Sequence, residues 1–220
     1  METIFDVLYL STVITLGILM IRNHKGRSQY LLFGIMAVTL GIGDSFHLVP
    51  RAYALLTDGL ANHAAALGIG KFITSITMTI FYILLYFVWR LRYRVQKHHA
   101  LTLGVFALAV SRIILCLCPQ NQWTSATPPL LWGVLRNIPF ALMGILIIKL
   151  FYQSAREYND HSFRYMWLTI TLSFAFYIPV VLFADIYPPV GVLMIPKTIS
   201  YVWTVLIGYL DMCKNKEIML

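Results

Sequence analysis

The sequence predicts an all-α fold class, an integral membrane bundle of seven helices, from its composition and its apolar runs. Hydrophobic residues make up 59% of the 220-residue chain and charged residues 12%, and the mean hydropathy is +0.74. Soluble domains typically contain about 45–50% apolar and about 25% charged residues. Seven apolar segments are each close to the roughly 20 residues that a helix needs to cross a bilayer. They lack the alternation of barrel strands, so helices must satisfy the backbone groups in lipid.

The seven segments form one predicted transmembrane domain that covers residues 1–220. They lie at 4–21, 29–50, 65–89, 99–118, 129–152, 164–185 and 190–212. The first segment follows an acidic start and runs to Arg22 without a small-residue cleavage site. That pattern favours a retained helix over a secretory signal. The polar stretches between the segments are too short to fold as separate soluble domains.

The loops predict how the helices cross the membrane. Twelve lysine and arginine residues lie in alternate loops and the C-terminal tail, at 22–27, 90–97, 149–164 and 214–216, and none lies in the opposite loops. By the positive-inside rule the N-terminus is outside and the C-terminus is cytoplasmic, in a multi-pass protein of the cell membrane. The net charge of +8 is therefore assigned mainly to topology. We expect membrane lipids as partners and no nucleic acid.

The other five basic residues fall inside or at the ends of the apolar segments, in the half nearer the outer face. They are Arg51, Lys71, Arg112, Arg136 and Lys197, and Asp44, His47 and Asp185 share their level. A charge at the bilayer centre costs about 2.5–3.5 kcal/mol on insertion scales, so such residues need partners, water or a ligand. With histidine neutral, this layer holds three more positive than negative charges. The clustering predicts an outward-facing cationic cavity for a small anionic ligand, such as a phosphate-bearing lipid or metabolite.

The predicted catalytic residues are Asp44 and His47, which lie with Arg51 in the polar end of the second segment. Their spacing of i, i+3 and i+7 puts the three side chains on one face of a helix. A carboxylate near an imidazole keeps the imidazole basic and oriented, as general acid–base catalysis requires. The alternative is a structural hydrogen-bond network between helices, for example from Asp44 to a lysine.

The predicted ligand-binding residues follow from the chemistry of an anion. Arginine offers a bidentate fork to phosphate or carboxylate, and lysine offers a point charge. The set is Arg51, Lys71, Arg112, Arg136, Asn137, Asp185, Lys197 and Tyr201. Arg51 could instead extend to outer lipid headgroups. Tyr201 follows Lys197 by one turn, so it would form the floor of the cavity or pack between helices.

Two further features near this layer each allow two interpretations. Pro139, Pro179 and Pro196 interrupt three segments at similar depth. The carbonyls that they free would line a cavity or would only mark kinks. The polar and aromatic loop at 120–123 would be a lid or an interface anchor.

The sequence predicts no cofactor and no metal site. His47 is the only histidine in the interior of an apolar segment, and the other five lie in loops or, as His99 does, at the first residue of a segment. Cys116, Cys118 and Cys213 have neither metal-ligand spacing nor an obvious disulfide framework, so we expect apolar thiols. Lys197 lies too near the outer end of its segment for a retinal Schiff base.

A weak internal repeat predicts a 3+1+3 arrangement. The stretch 69–74, IGKFIT, resembles 195–200, IPKTIS, at an offset of 126 residues, and 17–19 matches 144–146 at nearly the same offset. Helices one to three (1–91) would repeat as five to seven (128–220), with 92–127 as the connector. Both triplets start outside, so the repeats would be parallel. This layout is similar to that of the SWEET and PQ-loop transporters, and it would make Lys71 and Lys197 symmetry mates beside one cavity.

The pair Gly43–Asp44, followed by LVPR at 48–51, resembles the Gly-Asp helix of the lysoplasmalogenase-like membrane proteins. The next apolar helix of that family would be residues 67–87, so the resemblance covers two of seven segments. It implies hydrolysis of the vinyl-ether bond of a lysophospholipid, with Asp44 as the acid. The family usually has eight helices and a second Ser-Asp motif, where this chain has only Ala184–Asp185.

Three functions are therefore open: a lipid hydrolase, a transporter of a small anionic solute and a ligand sensor. A hydrolase needs a lateral opening to lipid, and a transporter needs polar residues that continue to the inner side. The inner halves of the segments are almost wholly apolar. This favours the enzyme or the sensor.

Overall fold

The computed structural model describes residues 2–184 and 186–217 and is a bundle of seven long helices. They are α1 Glu2–Asn23, α2 Ser28–Leu56, α3 Ala64–Arg92, α4 His99–Leu117, α5 Leu130–Glu157, α6 Met166–Phe183 and α7 Met194–Glu217. All seven are long and apolar enough to cross a membrane. The predicted fold class and the helix count are confirmed, and the chain is a polytopic membrane protein. The orientation in the membrane and the 3+1+3 repeat stay predictions.

The bounds of α2 and α7 differ most from those predicted. Helix α2 continues for six residues beyond Pro50, although proline removes one backbone hydrogen bond of a helix. Helix α7 begins at Met194 rather than at 190 because residues Pro188–Leu193 form a tighter helical turn. Pro188 and Pro189 start that turn, where a missing backbone N–H is tolerated.

The helices follow one another around the bundle in chain order. Each helix packs against the next, and α7 closes the ring against α1 and α2. Helix α3 also packs against α5. Aromatic rings fill the centre, where Tyr82 of α3 lies 4.9 Å from Phe140 of α5 and 5.5 Å from Phe174 of α6, between ring centroids. One core therefore joins all seven helices.

Glycines bring the first three helices unusually close together. A Cβ atom added to Gly17 would lie 3.0 Å from the carbonyl oxygen of Gly34, so α1 and α2 touch through their backbones. A Cβ atom on Gly70 would lie 2.7 Å from the Cα atom of His47 and would also meet the carbonyl of Phe46. Small residues of this kind let membrane helices approach closely. The α2–α3 contact fixes the polar end of α2 next to α3.

The bundle has two ends, the N-terminal face and the C-terminal face. The N-terminal face carries the start of α1 and the loops at 57–63, 118–129 and 184–193, and the C-terminal face carries the other loops. At the C-terminal face Arg92 donates to both oxygens of Asp160 at 2.9 Å and to Asp211 at 2.8 Å. Tyr30 of α2 donates to the same oxygen of Asp211. The sequence analysis assigned Arg92 only to topology. In the structure, the network around its side chain joins α3, α7, the α5–α6 loop and, through Tyr30, α2.

Candidate functional site

Three charged side chains from three helices come together in the half of the bundle nearer the N-terminal face, where Asp6 of α1 is also buried. Asp44 of α2 is 9% exposed, Lys197 of α7 is 7% exposed and Arg112 of α4 is 2% exposed. Lys197 interacts electrostatically with both of the others. We call these three residues the charge cluster. They are separated by up to 153 positions in the sequence, and only the ring of helices brings them together.

Asp44 is held by a tyrosine of α1 and not by the predicted imidazole. The hydroxyl of Tyr9 donates to Asp44 Oδ2 at 2.6 Å, and both side chains are buried. Within the described residues no hydrogen bond joins Asp44 to His47. The predicted acid–base pair is therefore not formed, and the arrangement corresponds to the alternative of a network between helices.

His47 belongs to a separate group at the N-terminal end of the α2–α3 contact. Its side chain interacts electrostatically with Lys71 and Arg51. Its Nδ1 atom is buried and has no hydrogen-bond partner among the described residues. Arg51 is half-buried and Lys71 is exposed. Since Lys71 is exposed and Lys197 is buried, the two predicted symmetry mates have different surroundings.

Lys197 and Arg112 are covered by aromatic rings. The ammonium of Lys197 lies 4.9 Å from the ring centroid of Tyr177 and 5.3 Å from that of Tyr201. The guanidinium carbon of Arg112 lies 3.4 Å from the ring centroid of Phe140. A cation over the face of a ring is attracted by the ring quadrupole. The rings solvate the two cations only in part, because the face of a ring is a weaker partner for a cation than a carboxylate.

Arg112 has buried donors that nothing in the described chain accepts. Its Nε and Nη1 atoms have no hydrogen-bond partner among residues 2–184 and 186–217. A buried charge without pairing is costly, and an unpaired buried donor points to an ion, water or ligand at the site. Two cations close to each other add repulsion. The charge cluster therefore has the electrostatics of an anion-binding site.

The predicted ligand residue Arg136 is occupied by the loop between α4 and α5. It donates to Asn121 Oδ1 at 2.8 Å and lies 4.2 Å from the ring centroid of Trp123. Asn121 in turn donates to the carbonyls of Leu115 and Cys118. Trp123 packs against Phe72 of α3. The loop thus folds inward over the N-terminal face, and Arg136 holds it in place.

An apolar groove lies between α5 and α6, next to the charge cluster. Its volume is about 170 Å³, and Asn137, Phe140, Ala141, Phe174, Tyr177 and Val181 are among its lining residues. The flanking side chains Ile138 and Ile178 are 49% and 44% exposed, so the groove faces the surface that lipid would cover. At its inner wall the hydroxyl of Tyr177 donates to Asn137 Oδ1 at 3.0 Å. The predicted ligand residue Asn137 therefore lines this groove.

The sequence also predicted that the chain has no metal site, that Asp185 binds ligand and that the cysteines are apolar thiols. Among residues 2–184 and 186–217, no three histidine, cysteine or acidic side chains are placed to hold a metal ion. Asp185 lies outside the described residues. Cys116 is buried beside Arg112.

The chain was compared with known proteins at the levels of family, sequence and structure. No family model, curated protein or solved structure matches it.

Sequence reasoning missed two buried residues of α1 and the aromatic walls of the site. Asp6 and Tyr9 were treated as part of an ordinary first helix, but both side chains are buried. Including Asp6 among the acids of this layer lowers the predicted excess of positive charge from three to two. Their spacing with the buried Val13 is i, i+3 and i+7, which is a helical face that the sequence pattern could have revealed. Tyr177 and Phe140 had no such signal, because aromatic residues are frequent throughout the chain.

Proposed function

We propose that the chain is a membrane-embedded hydrolase of a single-chain lipid with an anionic headgroup. The observation that carries this proposal is Arg112, a guanidinium buried among membrane-spanning helices with two nitrogen atoms unpartnered in the described chain. An anionic headgroup would pair with it through a bidentate fork. Lys197 is the second cation that would reach the same headgroup.

A lipid suits this site better than a water-soluble anion for two reasons. The apolar groove between α5 and α6 lies beside the charge cluster, separated from it by the rings of Phe140 and Tyr177. On the N-terminal face, the loop held by Arg136 and Trp123 lies over the bundle. A ligand that arrives through the bilayer would bring its charge to Arg112 and leave its chain in an apolar environment.

Asp44 is the residue to which we assign proton transfer. The hydrogen bond from Tyr9 to Oδ2 fixes the carboxyl group and leaves Oδ1 for substrate or water. With a vinyl-ether substrate, Asp44 as the acid donates a proton to the double-bond carbon that is farther from the ether oxygen. Water then adds to the other carbon, which bears that oxygen. The added water returns a proton to Asp44, and the hemiacetal breaks into an aldehyde and an alcohol. A positioned acid of this kind contributes about 10²–10⁴-fold to a rate.

The transporter alternative needs polar groups that continue toward the C-terminal face. The buried hydroxyls deeper in the bundle include those of Thr169, Ser173 and Thr204. Thr169 and Ser173 donate to backbone carbonyls of their own helix, and Thr204 shares its proton between the carbonyl of Ser200 and the hydroxyl of Thr169. Such hydroxyls are satisfied locally and need no water-filled path. This favours turnover or sensing at the charge cluster over passage of an anion.

The test uses the purified full chain in lipid nanodiscs with lysophospholipids that carry either a vinyl-ether or an ester chain. We expect the wild type to release an aldehyde or a fatty acid, and Asp44→Asn to bind the lipid without turnover. Arg112→Gln should weaken binding at least about tenfold, which corresponds to 1.4 kcal/mol. Arg156→Gln, which changes an exposed arginine of α5, is the matched control and should bind normally.

Three outcomes would contradict the proposal in different ways. Binding without turnover by the wild type would identify a sensor. Full turnover by Asp44→Asn would remove the assigned proton donor. Undiminished binding by Arg112→Gln would remove the anion site. This substitution removes a buried charge whose Nε and Nη1 donors lack acceptors in the described chain, but it also removes the contact with Phe140. These effects oppose each other, so the melting temperature should change little and lost binding would not reflect unfolding.

A further inference from the structure

The groove between α5 and α6 has features that the charge cluster alone does not explain. It is lined by side chains of two neighbouring helices, and its two rims carry the exposed residues Ile138 and Ile178. The cavity is too apolar to hold a headgroup. It has the shape and chemistry of a slot for hydrocarbon that opens sideways into the bilayer.

The inner wall of the groove is the outer wall of the charge cluster. Phe140 faces the groove and also covers the guanidinium of Arg112 at 3.4 Å. Tyr177 faces the groove and also lies 4.9 Å from the ammonium of Lys197. The two ring centroids are 6.2 Å apart. An apolar slot and two buried cations are thus separated by the thickness of two aromatic side chains.

These rings sit where both helices have weakened backbones. Pro139 precedes Phe140 in α5, and Pro179 follows Tyr177 by two positions in α6. A proline inside a helix removes one backbone hydrogen bond and allows a kink. Across the wall, the hydrogen bond from Tyr177 to Asn137 joins the two helices. Asn137 is itself oriented by a hydrogen bond to the carbonyl of Gly133.

We propose that the groove binds the hydrocarbon chain of a single-chain anionic lipid, whose phosphate passes between Phe140 and Tyr177 to reach Arg112 and Lys197. The match of charge supports this occupant, because Arg112 and Lys197 lie directly behind the groove's inner wall, where the headgroup of such a lipid would be. A groove between one pair of helices suits one chain rather than two. The headgroup position rests on the proposed function, whereas the chain site can be tested by itself.

The first experiment uses the wild-type chain and needs no substitution. Lysophosphatidic acid with a photoreactive diazirine near the end of its chain is added to nanodiscs, irradiated, and mapped by mass spectrometry. We expect the label mainly on 134–141 and 174–182, and excess unlabelled lysophosphatidic acid should remove it. Label spread evenly over the lipid-facing helices would overturn the chain site. If the groove carries no label and two copies of this chain are found crosslinked there, the groove is a protein contact instead.

The second experiment fills the groove. Ala141→Phe places a ring inside it, and Ala107→Phe places the same ring on the exposed surface of α4 as the matched control. We expect Ala141→Phe to weaken binding of long-chain lysophosphatidic acid at least about tenfold. Binding of glycerol phosphate, which has no chain, should stay within about twofold of the wild type. Ala107→Phe should change neither.

The two proposals fail in distinguishable ways. If the wild type binds neither lysophosphatidic acid nor glycerol phosphate, the anion site at Arg112 is wrong. If the wild type binds the lipid and Ala141→Phe binds it equally well, the groove is not the chain site. If Ala141→Phe does not fold, the labelling pattern of the wild type still decides the question.

Discussion

Arg112 and Arg92 are both guanidinium groups within the bundle, but they differ in their partners. Arg92 donates to two carboxylates, Asp160 and Asp211. Arg112 lies against a ring and has donors that no described residue accepts. A paired buried charge joins elements, whereas an unpaired one is costly until an anion binds. The same residue type thus serves structure at one end of the molecule and is the centre of the proposed ligand site at the other.

The ion pair of Asp160 gives a pH dependence outside the membrane-spanning segments. Burial alone would raise the pKa of Asp160, but the hydrogen bonds and charge of Arg92 outweigh it and hold the pKa below its usual range. A lowered pKa in the folded state adds stability above the unfolded pKa of about 3.9, and this stability is lost as the pH falls through the folded value. Asp160→Asn should therefore lower stability by about 2 kcal/mol at pH 7.

The measurement is the melting temperature of wild type and Asp160→Asn in detergent between about pH 7 and pH 3. The gap between the two proteins should shrink as the pH falls below about 4, because the wild-type carboxylate becomes protonated. A gap that stays constant over this range would show that the charge of Asp160 does not contribute.

Among the elements, the α2–α3 contact depends on a proline and a glycine together. Pro50 lacks the N–H group that would bond to the carbonyl of Phe46 in a regular helix. That carbonyl lies against Gly70 of α3. Close backbone approach therefore accommodates the interruption, and α2 continues to Leu56. The contact also sets the position of His47.

Gly70→Ala should force α2 and α3 apart. The new methyl group would meet backbone atoms of Phe46 and His47, which cannot turn away as a side chain could. We expect a loss of about 1–3 kcal/mol, as for other overpacked cores. Thermal unfolding measures it, at about 2–4 °C per kcal/mol for a chain of this size.

The control for this substitution is Gly104→Ala in α4. A Cβ atom on Gly104 would have no described atom within 4 Å outside its immediate surroundings. It should be neutral or slightly stabilising, since alanine is the better helix former. Equal losses from both substitutions would mean that the α2–α3 approach is not tight.

For the whole molecule, the network around Arg92 closes the ring of helices at the C-terminal face. It links the end of α3 to the α5–α6 loop through Asp160 and to α7 through Asp211. The hydroxyl of Tyr30 adds α2, and Asn215 of α7 donates to that hydroxyl. Elements from the first and last thirds of the chain are therefore held by one set of charges.

Arg92→Met should destabilise the whole bundle by about 3–5 kcal/mol, because it leaves two carboxylates of low exposure without their cation. Arg94→Met removes an exposed arginine two positions away and should stay within about 0.5 kcal/mol of the wild type. Unfolding in detergent followed by circular dichroism measures both. Similar stability of the two variants would contradict a structural role for the network.

The helices were predictable because membrane-spanning segments must be long, apolar and helical, whatever their neighbours are. The buried positions of Lys197 and Arg112 were also predictable as unusual charges in apolar runs. The pairing of Asp44 was not, since the spacing along α2 indicated His47 and the ring of helices supplied Tyr9. The role of Arg136 was missed for a similar reason, because the loop that occupies it folds back from α4.

The sequence by itself determined a polytopic seven-helix protein with unusual charges inside its apolar segments. Composition and segment length carry that information, and lipid enforces it on every segment separately. Only the tertiary structure decided which charges are paired, which are covered by rings and where the side of the bundle is open. Those properties depend on contacts between helices far apart in the chain, such as α2 with α7 or α1 with α7. The spacing of residues within one helix does not reveal these contacts, because the face that a helix buries depends on which neighbours pack against it.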